Sequence, residues 1–162
     1  MAVAVYPGSF DPMTIAHLVI AETAVDHLGL ERIDLAISRE ALGKAHLGAH
    51  TLDDRVAAIE RVAARRPWLG VVVVRARLIV DVAEGYDVVV MGADKWAQVN
   101  DPAWYGGDHS ARDRAIAALP RVAVAPRAGL PVPDEVSLPV PDHIADISAT
   151  AVRRGRSEWA AE

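Results

Sequence analysis

The sequence predicts an α/β protein built on an open, parallel five-stranded sheet with helices on both faces. Three observations predict it. Short β-branched runs alternate with stretches whose apolar residues recur at helical spacing, which is the pattern of βαβ units. Those runs are almost continuously apolar, as strands covered on both faces should be. The chain has 162 residues and 52% hydrophobic content, enough for one well-filled core and little for a second, so residues 1–162 are expected to form a single domain.

The five runs are Ala2 to Tyr6, Ile33 to Ile37, Val71 to Val74, Val88 to Met91 and Val122 to Ala125. Between the first two, Leu18, Ala21, Val25 and Leu28 fall on one helical stripe, and Gly29 is placed to end that helix. Between the second and third, Leu52, Val56, Ile59 and Ala63 repeat the spacing. Thr51 with Asp54 reads as a capping box there, and Pro67 closes the segment.

Within Arg77 to Glu84, Leu78-Ile79-Val80 has strand composition. Two parallel strands flanking it need a crossover of about a dozen residues, so a helix is expected. Pro102, Gly106 and Gly107 are expected to break the chain after Trp96, ahead of a helix from Ser110 to Leu119. Pro126, Pro131, Pro133, Pro139 and Pro141 mark an irregular connection to a last helix starting near Ser148.

Composition excludes several functions. A net charge of −5 argues against a protein that coats nucleic acid, so a polyanionic ligand must be met by local charge. With no cysteine, disulfides, thiolate metal sites and cysteine nucleophiles are all excluded. Met1 to Tyr6 lacks the basic start of a signal peptide, and no apolar run approaches the roughly 20 residues that span a bilayer. A soluble cytoplasmic protein without a membrane partner is expected. Oligomeric state is left open, a homo-oligomer included.

The first strand runs directly into Gly8-Ser9-Phe10-Asp11-Pro12-Met13-Thr14-Ile15-Ala16-His17, and the first helix follows. A small-residue turn and an uncapped helix N-terminus then sit at the carboxyl edge of the sheet, where α/β proteins bind ligands. Free N–H groups and the helix dipole favour an anion there. Thr14 and His17, three apart, share a face. On spacing alone, an ordinary βα turn with a solvent-facing histidine fits as well.

A second cluster stands near the end, in Asp146-Ile147-Ser148-Ala149-Thr150-Ala151-Val152-Arg153-Arg154. Hydroxyls and a guanidinium at a helix N-terminus suit a phosphate, although taken alone a capped surface helix explains them.

Together these clusters resemble the nucleotidyltransferase superfamily with the H/T-x-G-H signature. The first motif stands as Gly8 to His17 and the second, usually I-S-S/T-T-x-x-R, as Ile147 to Arg153. The resemblance covers nearly the whole chain. It implies a Rossmann-like sheet and an enzyme that transfers AMP from ATP to a phosphate monoester, releasing pyrophosphate. It also implies that His17 and Thr14 contact the phosphates at the reacting centre, with Lys44 and Arg153 as further catalytic cations. Gly8, Ser9, Phe10, Ala16, Gly92, Asp94, Ser148 and Thr150 would bind the nucleotide. A Mg²⁺ ion would accompany ATP, ligated mostly by substrate and water. No metal site of protein side chains is expected. His46 and His50 are spaced for chelation, but Gly43 and Gly48 argue against a helix carrying them.

The signature's glycine before the second histidine is Ala16 here, whose methyl group is expected to meet the base. A nucleotide-binding protein without catalysis is the alternative this departure leaves. A dinucleotide-dependent oxidoreductase fits poorly, because the first βα turn lacks G-x-G-x-x-G. For the acceptor, the first motif and Leu78 to Ala83 resemble phosphopantetheine adenylyltransferases. Gly92-Ala93-Asp94, with Trp96 and Trp104 following, resembles the nicotinate or nicotinamide mononucleotide adenylyltransferases. These two tryptophans either stack on the acceptor's ring or pack in the interior.

Overall fold

The β-branched runs form five strands: β1 (Val3–Gly8), β2 (Arg32–Ser38), β3 (Leu69–Val74), β4 (Val88–Gly92) and β5 (Arg121–Ala125). The computed structural model describes residues 1–39 and 51–162. All neighbouring strands are parallel, in the order β3-β2-β1-β4-β5. Strand order therefore reverses between β1 and β4, and the carboxyl ends of those two strands open a crevice. β1 runs two residues past its expected end, because pairing with β2 continues through Pro7↔Ala36 and Gly8↔Ile37.

Side chains alternate between two core clusters. Ala4, Tyr6, Ile33, Leu35, Ile37, Val88 and Val90 face one side, packed with residues of α1 (Ile15–Leu28) and α2 (Leu52–Ala63). Val5, Ala36, Val89, Met91 and Val124 face the other, under α3 (Ile79–Val82), α4 (Ala93–Asn100) and α5 (His109–Ala117). This period-of-two alternation puts helices on both faces, as the sequence predicts. A last short helix, α6 (Ala149–Arg153), starts at Ser148.

Four details differ from the sequence reading. The buried stripe of α1 is Ala16, Ile20, Ala21 and Ala24, while Leu18, Val25 and Leu28 are only partly buried. The helix is apolar on most of its circumference, so spacing alone could not choose the stripe that meets the sheet. The crossover helix α3 is a single turn. A helix not singled out from the sequence, α4, runs from Ala93 to Asn100 with Ala93, Trp96 and Val99 on the face that packs on the second cluster, and the expected break follows it at Pro102, Gly106 and Gly107. The helix expected from Ser110 to Leu119 runs from His109 to Ala117, capped by the Asp108 carboxylate.

The remaining ends follow the expectation in part: α2 has the Thr51 half of the expected capping box and ends at Ala63, ahead of Pro67. Thr51 caps α2 by accepting the Asp54 amide at 3.1 Å, and Gly29 ends α1 at φ 61. The proline-rich segment covers the edge of β5, where the Leu138 amide donates to the Val124 carbonyl at 2.8 Å. At the opposite end of the sheet, Asp34 is buried in β2, accepting from Arg32 at 2.6 Å and from the Tyr86 hydroxyl at 3.0 Å. Gly70 stands opposite it on β3, where a Cβ would overlap the Asp34 carboxylate and the Arg32 guanidinium.

Candidate functional site

The crevice between β1 and β4 widens into a cavity of about 680 Å³. Its lining includes the last residue of each of the first four strands: Gly8, Ser38, Val74 and Gly92. Arg127, just past β5, closes the row. Among the described lining residues, Arg77, Lys95 and Arg127 are cations and Asp94 is the one carboxylate. Asp94 is itself paired with Arg127 at 2.7 Å. A chain with net charge −5 thus concentrates positive potential where its strands end.

The loop after β1 is shaped by aromatic packing. Phe10 has φ 47 and is 2% exposed. Its ring lies edge-on to Tyr6 at 5.5 Å and to His17 at 5.0 Å between centroids. Gly8 leaves room for that ring, since a Cβ there would stand 2.9 Å from Phe10 Cζ. Burial pushes the Tyr6 hydroxyl well above the usual phenol range, so Tyr6 stays neutral and serves as a packing surface.

The N-terminus of α1 is capped, contrary to the sequence reading. The Thr14 hydroxyl accepts the His17 amide at 3.3 Å, and the Thr14 amide donates to His17 Nδ1 at 2.9 Å. The sequence reading missed this reciprocal box because a histidine stands where Glu or Gln is usual. The amide can only donate, so Nδ1 is the acceptor and the proton of the neutral ring sits on Nε2. Thr14 is 1% exposed and lies beneath the C-terminal segment, bridged to Ala160, with the Ala161 amide donating to the Met13 carbonyl at 3.0 Å. Thr14 therefore orients His17 from behind. His17 lines the cavity and Thr14 does not.

The second motif meets the first across 142 residues. Arg153 donates through Nη1 to the Asp11 carbonyl and through Nη2 to the Thr150 hydroxyl at 3.1 Å. Thr150 lines the cavity, while Ser148 caps α6 by accepting the Ala151 amide at 3.0 Å.

The other expected residues divide. Ser9, Phe10, Gly92, Asp94 and Trp104 line the cavity. Trp96 packs against the second core cluster, away from the cavity. Ala16 is 7% exposed and packs in the first cluster, so its methyl group does not stand in the cavity wall, where the base was expected. Lys44, His46 and His50 lie outside the described residues. The sequence reading did not single out Ser38, Arg77, Lys95, Gln98, Tyr105 or Arg127, all of which line the cavity. Position was the available signal, since Ser38 directly follows one expected strand and Arg77, Lys95 and Arg127 closely follow three others.

A family model described as Cytidylyltransferase-like matches residues 5–155, which takes in both motifs and all five strand ends. The chain belongs to the cytidylyltransferase-like family.

Curated relatives match over shorter stretches. The chain is 36% identical over 98 residues to a phosphopantetheine adenylyltransferase of Paracoccus denitrificans, covering 57% of each protein. It is 33% identical over 90 residues to a phosphopantetheine adenylyltransferase of Cutibacterium acnes, covering 55% of this chain and 54% of the relative. It is 38% identical over 64 residues to a probable nicotinate-nucleotide adenylyltransferase of Bordetella avium, covering 40% of this chain and 32% of the relative. The matches thus span between about a third and just over half of each relative's length. In this cytidylyltransferase-like chain, the cavity floor is the row of strand ends, and the family's two motifs meet through Arg153 and Asp11.

Proposed function

We propose that this chain transfers AMP from ATP to a phosphate monoester, with nicotinate or nicotinamide mononucleotide as acceptor and pyrophosphate as the leaving product. One observation carries the reading: both motifs converge on a cavity at the sheet's switch point whose described lining holds more cationic than anionic groups. The acceptor's phosphate oxygen attacks the α-phosphorus, and the bond from that phosphorus to the bridging oxygen of the β-phosphate breaks. No protein nucleophile is needed. The protein's task is to align two polyanions and offset their charge.

His17 donates from Nε2 to a phosphate oxygen at the reacting centre, with Nδ1 held by Thr14. Thr150 binds the departing phosphates, Arg153, which does not itself line the cavity, holds the Thr150 hydroxyl from behind, and Arg77 and Lys95 add cationic charge to the same cavity. No group of three or more His, Cys, Asp or Glu that could hold a metal occurs among the described residues. A Mg²⁺ ion accompanying ATP would supply further charge neutralisation, with its ligands coming mostly from substrate and water.

Trp104 in the cavity wall, which can stack on a flat ring, favours an aromatic acceptor. Phosphopantetheine is the second reading, favoured by the greater share of the chain that matches relatives of that name. Purified protein with ATP, Mg²⁺ and each acceptor in turn tests both. Pyrophosphate release with a pyridine mononucleotide is expected. Release with phosphopantetheine alone would move the acceptor to the second reading, and no release with any phosphate monoester would refute transfer.

A further inference from the structure

Nucleotidyl transfer as proposed leaves one charged group unused. Arg55, in the first turn of α2, is 6% exposed and is the buried cation among the described residues. Its Nη1 donates to the Ser9 carbonyl at 2.8 Å, and its Nε lies 3.4 Å from the Thr51 carbonyl. Neither partner carries a negative charge. Burying a guanidinium's charge without a counter-charge is costly.

Location gives that cost a purpose. Ser9 and Phe10 line the cavity and Arg55 does not, so the guanidinium stands behind the loop and reaches it through the main chain. Its bond to the Ser9 carbonyl holds the turn that leads into Phe10, whose φ of 47 favours glycine. The same bond polarises the peptide joining Ser9 to Phe10.

We propose that Arg55 is a positioning residue for the polyphosphate: it fixes the Ser9–Phe10 turn and holds behind it a positive charge that no carboxylate among the described residues pairs with, and which a triphosphate in the cavity answers. This inference rests on the proposed function only in taking the cavity's ligand to be a triphosphate. It differs from a purely structural role, because the charge matters most when the ligand is charged.

Wild type, Arg55→Met and Arg55→Lys are titrated with inorganic tripolyphosphate by calorimetry and with adenosine by chemical-shift titration. Arg55→Met is expected to weaken tripolyphosphate by about tenfold or more, with adenosine affinity held within about twofold. Arg55→Lys, which keeps the charge, is expected to retain affinity within about fivefold. If the methionine variant does not fold, Arg55→Gln carries the test, since its amide can still donate to the Ser9 carbonyl. Unchanged tripolyphosphate affinity in the uncharged variant, or an equal loss for both ligands, overturns the proposal. The expected pattern in a protein that releases no pyrophosphate removes the proposed function and leaves this inference standing. A wild type that does not bind tripolyphosphate removes both.

Discussion

Gly8→Ala is a one-carbon test of how the β1 loop is built. The added Cβ would stand 2.9, 3.0 and 3.3 Å from three atoms of the Phe10 ring. A free ring would swing aside, but this one is held between Tyr6 and His17 by edge-on contacts at 5.5 and 5.0 Å. The clash must therefore displace the ring, and with it one or both neighbours. Overpacking of this kind costs about 1–3 kcal/mol, and each aromatic pair that is lost adds about 0.5–1.5 kcal/mol. Urea denaturation should show a lowered midpoint with an unchanged m-value. A shift of His17 by about 1 Å should reduce kcat/KM for nucleotidyl transfer by up to about a hundredfold. Adding Phe10→Leu removes the far side of the ring, so the double variant should recover part of the lost stability. A Gly8→Ala protein as stable and active as wild type would refute the reasoning. Failure of Phe10→Leu to recover any stability would show that the glycine is needed for something other than this ring.

Other substitutions separate roles that the sequence leaves joined. His17→Ala removes the cavity donor and half of the α1 cap. Turnover should fall by about a hundredfold or more, while the unfolding midpoint reflects a loss of about 1 kcal/mol. Trp104→Ala should raise the acceptor KM with little change in stability. Trp96→Ala should leave KM unchanged and destabilise toward the lower end of about 3–5 kcal/mol, because this tryptophan is only partly buried. Tyr86 is pushed up to about 12, first by burial and then by the Asp34 carboxylate that accepts its hydroxyl. A tyrosine with a raised folded-state value contributes stability that is complete below pH 10 and lost as pH rises toward 12. Tyr86→Phe should therefore be less stable than wild type at neutral pH. Its stability should fall less steeply over that alkaline window, as measured by denaturation at a series of pH values.

The strands were legible because buried parallel strands need continuous β-branched runs, and each of the five stands within a few residues of its expected place. Helix faces were less legible. The α1 stripe moved to Ala16, Ile20, Ala21 and Ala24 because the helix is apolar nearly all round, and only the sheet decides which alanines it meets. The helix α4 was not singled out although Ala93, Trp96 and Val99 have helical spacing, whereas the break at Pro102 and the following glycines stands where the sequence put it. In the site, motif residues were legible as types but not as roles. Thr14 and His17 read as two groups pointing into one space, whereas one is buried and holds the other. Arg153 read as a phosphate ligand, whereas it stands outside the cavity lining and bonds the Asp11 carbonyl, a partner that no spacing 142 residues away could reveal.

The same division explains why the cations of the described cavity lining were missed. Arg77, Lys95 and Arg127 belong to neither motif, and a lysine or arginine in a loop is ordinarily a solvated surface group. What distinguishes them is that each closely follows a strand of one parallel sheet, so the topology delivers all three to one edge. A loop cation just beyond a parallel strand is thus a better candidate for an anion site than its local sequence suggests. Arg55 extends that logic, for it stands behind the edge and acts through the main chain. On the proposed function, local motifs mark where the phosphates would sit, and charge brought in by the fold would determine how firmly they are held. The signature alone therefore under-reports the site.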